Sequence, residues 1–95
     1  MQQEYFLKLY VFDADLSSEQ ALRNIKEIIA QETESQFQLE VIELQKNPQL
    51  AEKDGILAIP TLIRKQPEPE KKIIGDLSDK ESVLRGLEII SQIKK

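Results

Sequence analysis

YFLKLYVFDADLSSEQALRNIKEIIAQETESQFQLEVIEL, from Tyr5 to Leu44, holds three hydrophobic patterns in succession, and their order decides the fold. Tyr5 to Phe12 is apolar on both faces apart from Lys8. A run so rich in aromatic and branched residues predicts a strand in the middle of a sheet. Asp13, Ala14 and Asp15 break it, and Ser17 with Gln20 forms a capping box that predicts a helix from near Ser18. Ala21, Leu22, Ile25, Ile28 and Ile29 then recur at helical spacing as one apolar stripe, which the polar stretch Glu32 to Ser35 ends. Phe37, Leu39 and Val41 alternate along a second strand, Phe37 to Leu44. Strand, helix and strand in about 40 residues imply a right-handed crossover and a parallel pair.

Working outward, Asn47 is a good N-cap, Pro48 suits the first helical position, Leu50 and Ala51 suit a core face, and Gly55 closes a short helix. Ile59 to Arg64 reads as extended, because Pro60 keeps its predecessor out of the helical region. Gln66-Pro67-Glu68-Pro69-Glu70 is a loop and Lys71 to Gly75 a short strand. Ser78 and Glu81 form a second capping box, with Asp76 assisting the turn, and Val83, Leu84, Leu87, Ile90 and Ile93 carry a helical stripe to the end. The fold class is therefore α/β, in the thioredoxin-like order βαβαββα.

Composition narrows the function. At 95 residues, 40% apolar and 32% charged, the chain suits one globular domain. It has no cysteine and no histidine, which removes the thiolate, the redox pair and the usual neutral-pH base. An enzyme is not expected, and neither is a cofactor or a metal. A net charge of −4 gives no basis for nucleic-acid binding. No apolar run is long enough to span a membrane, and Met-Gln-Gln-Glu lacks the features of a secretory leader, so a cytoplasmic location is expected. Asp13 and Asp15 fit a capped turn better than a metal site. Tyr5, Phe6, Tyr10 and Phe12 fit a core or a subunit contact better than a base-stacking platform. Arg64, Lys65, Lys71 and Lys72 flank the Pro/Glu loop, as either a cationic partner patch or a solvated hairpin tip.

LKLYV (Leu7 to Val11), NPQLAEKDGILAIPTL (Asn47 to Leu62) and KKIIGDLSDKESVLRGLEII (Lys71 to Ile90) together resemble the KaiB family of circadian clock proteins. The resemblance implies one KaiB domain over residues 1–95 and two folds for one sequence. One is a tetrameric ground state of order βαββααβ, and the other is a monomeric thioredoxin-like state. Residues 5–45 form the βαβ half that is kept, and residues 46–95 the half that rearranges. It also implies binding to a KaiC-like ATPase ring, with KaiA-like and SasA-like proteins as further partners, and a role in modulating phosphorylation and recruitment. Leu84, Arg85, Gly86, Leu87 and Glu88 correspond to the switching and partner-binding helix. Pro60, Arg64 and Lys65 join them as fold-switch and partner-binding candidates, and Pro60, Pro67 and Pro69 are candidate sites of slow prolyl exchange. Gly86 weakens a helix by roughly 1 kcal/mol relative to alanine, so alanine there is expected to favour the thioredoxin-like order. The chain departs from the family at Asp13-Ala14-Asp15-Leu16, where a loop bearing glycine and asparagine is usual. It departs again at Gly55, where lysine is typical, and at Arg85, where an apolar residue is typical. A homologue serving stress adaptation, or a docking domain related to the SasA N-terminal domain, is the alternative.

Overall fold

The structure is a computed structural model and describes residues 3–89. Its elements are β1 (Gln3–Val11), α1 (Leu16–Gln31), β2 (Ser35–Glu43), a 3₁₀ turn (Leu44–Lys46), α2 (Pro48–Lys53), β3 (Thr61–Gln66), β4 (Lys71–Ile74) and α3 (Lys80–Gly86). The sheet order is β2-β1-β3-β4. β1 runs parallel to β2 in unbroken register from Gln3↔Ser35 to Val11↔Glu43, and antiparallel to β3 with an irregularity between Phe6 and Leu7. The thioredoxin-like order expected from the periodicities is the order observed.

Alternation along β1 sends Tyr5, Leu7, Leu9 and Val11 to one face, where Ala21, Ile25 and Ile28 of α1 and Val83 and Leu84 of α3 meet them. Tyr5 also stacks on Phe37, ring centroids 5.1 Å apart. The other face holds a smaller cluster of Tyr10, Ile42, Ala51 and Ile63 under α2. α2 is too short to cover the whole face, so Phe6 remains 37% exposed although β1 is central.

Three local readings need correction. α1 starts two residues earlier than the Ser17–Gln20 box predicts: Asp15 is the N-cap and its carboxylate accepts from the Ser18 amide at 2.8 Å. The Ser18 hydroxyl is occupied elsewhere, accepting from the Phe12 amide at 3.0 Å. At α3 the cap is likewise an aspartate, Asp79, accepting from the Ser82 amide at 3.2 Å rather than Ser78. That bond holds the Asp79 carboxyl below its ordinary range. A carboxylate is the stronger acceptor at the positive end of a helix, so it outcompetes the neighbouring hydroxyl. Asp76 assists the turn as expected, accepting from the Ser78 amide at 3.0 Å.

The third correction concerns the end of α3. The helix stops at Gly86, and Leu87 and Glu88, read as helical from the apolar stripe, lie beyond it. Glu88 has a φ of 55°, its amide donates to Arg85 O at 3.1 Å, and the Ile89 amide donates to Leu84 O at 2.8 Å. This pair of bonds is a Schellman ending, completed by burial of both Ile89 and Leu84 in the same core. Ile90 and Ile93 lie outside the described residues.

Candidate partner-binding surface

The structure divides the candidate residues by exposure. Pro60, Arg64, Leu84 and Leu87 are buried, whereas Arg85, Gly86 and Glu88 are exposed and Lys65 is half-buried. Pro60 follows a cis peptide bond, as do Pro67 and Pro69. The positions that offer side chains to a partner are therefore Arg85 and Glu88 at the end of α3, with Lys65 partly available.

The four cations around the Pro/Glu loop do not form one patch. Successive residues of a strand face opposite sides. Arg64, paired in register with Lys71, points toward α3, while Lys65 and Lys72 point toward α2. On the α3 side Lys71 meets the Glu88 carboxylate at 3.3 Å. Arg64 donates to Leu87 O at 2.7 Å and Glu88 O at 3.4 Å through Nη1, and to Pro69 O at 2.7 Å through Nη2. Strand alternation thus divides these four cations, near one another in sequence, between the two faces of the sheet.

On the α2 side the centre is Asp54, which the sequence reading passed over. It follows α2 as its C-cap, just before Gly55, and that position marks a helix end but not a burial. Its carboxylate is 7% exposed and accepts from Tyr10 Oη at 2.6 Å, Lys65 Nζ at 3.0 Å and Lys8 Nζ at 3.4 Å. Its backbone carbonyl accepts from Lys72 Nζ at 2.6 Å. Burial pushes the carboxyl upward, but the Tyr10 and Lys65 hydrogen bonds and the Lys8 charge outweigh it and hold the value at about 2. Burial and the same carboxylate push the Tyr10 hydroxyl well up, so it stays a donor. The hydrogen bonds that Lys65 donates to the Glu70 and Asp54 carboxylates push its ammonium upward. Gly55, with φ 67°, leaves room for Lys72: a Cβ there would lie 3.3 Å from Lys72 Nζ. The ammonium of Lys72 occupies the space beside residue 55.

Asp15 is used as a cap, and among the described residues no group of three or more Asp, Glu, His or Cys side chains is placed to hold a metal. Tyr5 and Tyr10 are core residues, while Phe12 is 47% exposed. No helix among the described residues is long and apolar enough to cross a membrane.

Comparison with known proteins places this geometry. The circadian clock oscillator protein KaiB of Trichodesmium erythraeum is 51% identical over 90 residues, spanning 95% of this chain and 86% of that protein. KaiB1 of Synechocystis is 52% identical over 86 residues, spanning 90% and 82%. Among solved structures, the N-terminal domain of SasA from Synechococcus elongatus superposes with a TM-score of 0.74 at 26% identity, covering 99% of this chain and 92% of that domain. Mitochondrial thioredoxin 3 from Saccharomyces cerevisiae superposes at 0.73 with 13% identity, covering 94% and 81%, a likeness of fold alone. The KaiB domain family matches residues 8–89, and with half of its residues shared with KaiB clock proteins over nearly its whole length, the chain belongs to the KaiB family.

Proposed function

We propose that this chain is a non-enzymatic regulator that docks, in its thioredoxin-like form, on a KaiC-type ATPase ring and modulates the ring's phosphorylation state and partner recruitment. One observation carries the reading. A chain half identical to KaiB clock proteins shares its fold, over nearly its whole length, with the N-terminal domain of SasA. A shared shape supports competition for a shared site. The exposed end of α3, with Arg85, Gly86, Glu88 and the adjoining Lys71, is the docking surface in this reading. Residues 5–45 would be kept and residues 46–95 rearranged between a tetrameric βαββααβ state and the binding form. A KaiA-like protein is then recruited to the bound complex.

The test is a competition titration on a KaiC-type ring, with labelled SasA N-terminal domain bound first. Displacement by this chain, weakened by Arg85→Glu, is the expected result. Simultaneous binding of both proteins, or no binding of this chain, overturns it. The second reading is a docking domain of stress adaptation without a clock role, and the replacement of an apolar residue by Arg85 on the exposed surface favours it. It predicts no displacement from the ring.

A further inference from the structure

Arg64 is 4% exposed, an unusual place for a guanidinium, whose charge and five donors demand partners when water is removed. Its hydrogen-bond partners are carbonyls: Leu87 O, Glu88 O and Pro69 O. Its Nε finds no partner among the described residues. The Glu88 carboxylate is bound by Lys71. An apolar side chain would fill such a space at no cost in desolvation, and replacing buried charge that way is often neutral or stabilising. A buried arginine here is therefore explained by what it joins. Nη1 meets the carbonyls of Leu87 and Glu88, in the turn that ends α3, and Nη2 meets the β3–β4 loop at Pro69.

We infer that Arg64 is the positioning residue for the docking surface described above, an inference that rests on that reading. Its planar fork clamps the end of α3 to the loop at Pro69 and so fixes where Arg85, Gly86 and Glu88 stand. Glu88 shows why a clamp is needed. Its left-handed backbone is unfavourable for any residue with a Cβ, and it persists only where the surroundings hold it. The Schellman bonds hold its amide side, and Arg64 holds the carbonyl side. The outcome is a side chain presented beside Lys71 on a fixed backbone. Lysine cannot replace this arginine, since one ammonium lacks the fork that spans two separate carbonyls.

The experiment compares Arg64→Met and Arg64→Lys with Ile25→Val, a core change in α1 remote from the clamp, under conditions where each variant is almost wholly folded. Amide hydrogen exchange at Leu87, Glu88 and Ile89 is expected to quicken roughly tenfold or more in both Arg64 variants, relative to Leu7 and Leu9 in β1. Affinity for a KaiC-type ring is expected to fall roughly tenfold in the Arg64 variants and to stay unchanged in Ile25→Val. Exchange at residues 87–89 that keeps pace with β1 overturns the clamp. Equal affinities for all three variants overturn the positioning role. If Arg64→Met does not fold, Arg64→Lys decides both questions. Failure of the parent chain to bind the ring removes the docking reading alone, and the exchange contrast still decides whether Arg64 holds the end of α3.

Discussion

Ala14 sits at the tip of the β1–α1 turn with a φ of 60° and is exposed. The left-handed region costs a residue with a Cβ about 1–2 kcal/mol, a cost glycine escapes and asparagine reduces. This accounts for the glycine- and asparagine-bearing loop expected of the family, and makes Ala14 a strained departure from it. Glycine brings extra chain entropy to the unfolded state, worth about 0.5–1 kcal/mol against the gain. Ala14→Gly is therefore expected to stabilise the fold by about 0.5 kcal/mol, raising the thermal midpoint by about 2–4 °C. A midpoint that stays put or falls would show that the turn is not strained. Leu77 has the same backbone sign, φ 63°, but is 5% exposed in the main core. There a glycine would forfeit about 1.5–3 kcal/mol of side-chain burial, more than the strain it relieves, so the leucine stays.

The end of α3 shows what an element adds to its residues. Gly86 is the last helical residue, and a Cβ placed on it would lie 2.7 Å from Cδ1 of Ile73 in β4. Helix propensity favours alanine there by up to about 1 kcal/mol, while pushing Ile73 off its rotamer costs about 0.5–1.5 kcal/mol. The two terms are close, so the informative quantity is their coupling. In a double-mutant cycle, Gly86→Ala is expected to be more favourable by about 0.5–1 kcal/mol in an Ile73→Val background, where Cδ1 is gone, than in the parent. Urea unfolding of the four proteins measures it, and strict additivity would mean that the β4 contact does not constrain residue 86. The same element marks the boundary of what the sequence made legible. Strands, helices and their order were readable because each long run carries its own apolar pattern, on both faces in Tyr5 to Phe12 and on one stripe in Ala21 to Ile29. The end of α3 was not, because Leu87 is apolar and in step with the stripe, yet it is buried as a C-cap by a Schellman turn and by Arg64 from another strand. Arg64 and Lys65 were singled out from sequence as cations, but only the pleat of β3 shows that they serve opposite faces.

At the scale of the molecule, Asp54 joins parts that are far apart in sequence. The carboxylate accepts from Tyr10 and Lys8 of β1 and from Lys65 of β3, while Lys72 of β4 reaches the backbone carbonyl, so Asp54 at the end of α2 ties residues 46–95 to the βαβ half. Its carboxyl lies at about 2 against an ordinary value of 3.8. A folded value below the unfolded one means that the charged form stabilises the fold above about pH 4, and that this contribution is lost as pH falls toward 2. At about 1.4 kcal/mol for each tenfold change in proton affinity, it is worth about 2 kcal/mol. Asp54→Asn keeps an acceptor for the Tyr10 hydroxyl but leaves Lys8 and Lys65 facing a neutral group. The variant is expected to be about 2 kcal/mol less stable at pH 7, with the gap closing between about pH 4 and pH 2 as the parent loses the same charge. Denaturant unfolding across that range tests it, and a gap that does not shrink on acidification would assign the loss to packing rather than to charge. Any rearrangement that moves residues 46–95 off the first half must break the contacts of Tyr10 and Lys8 with Asp54.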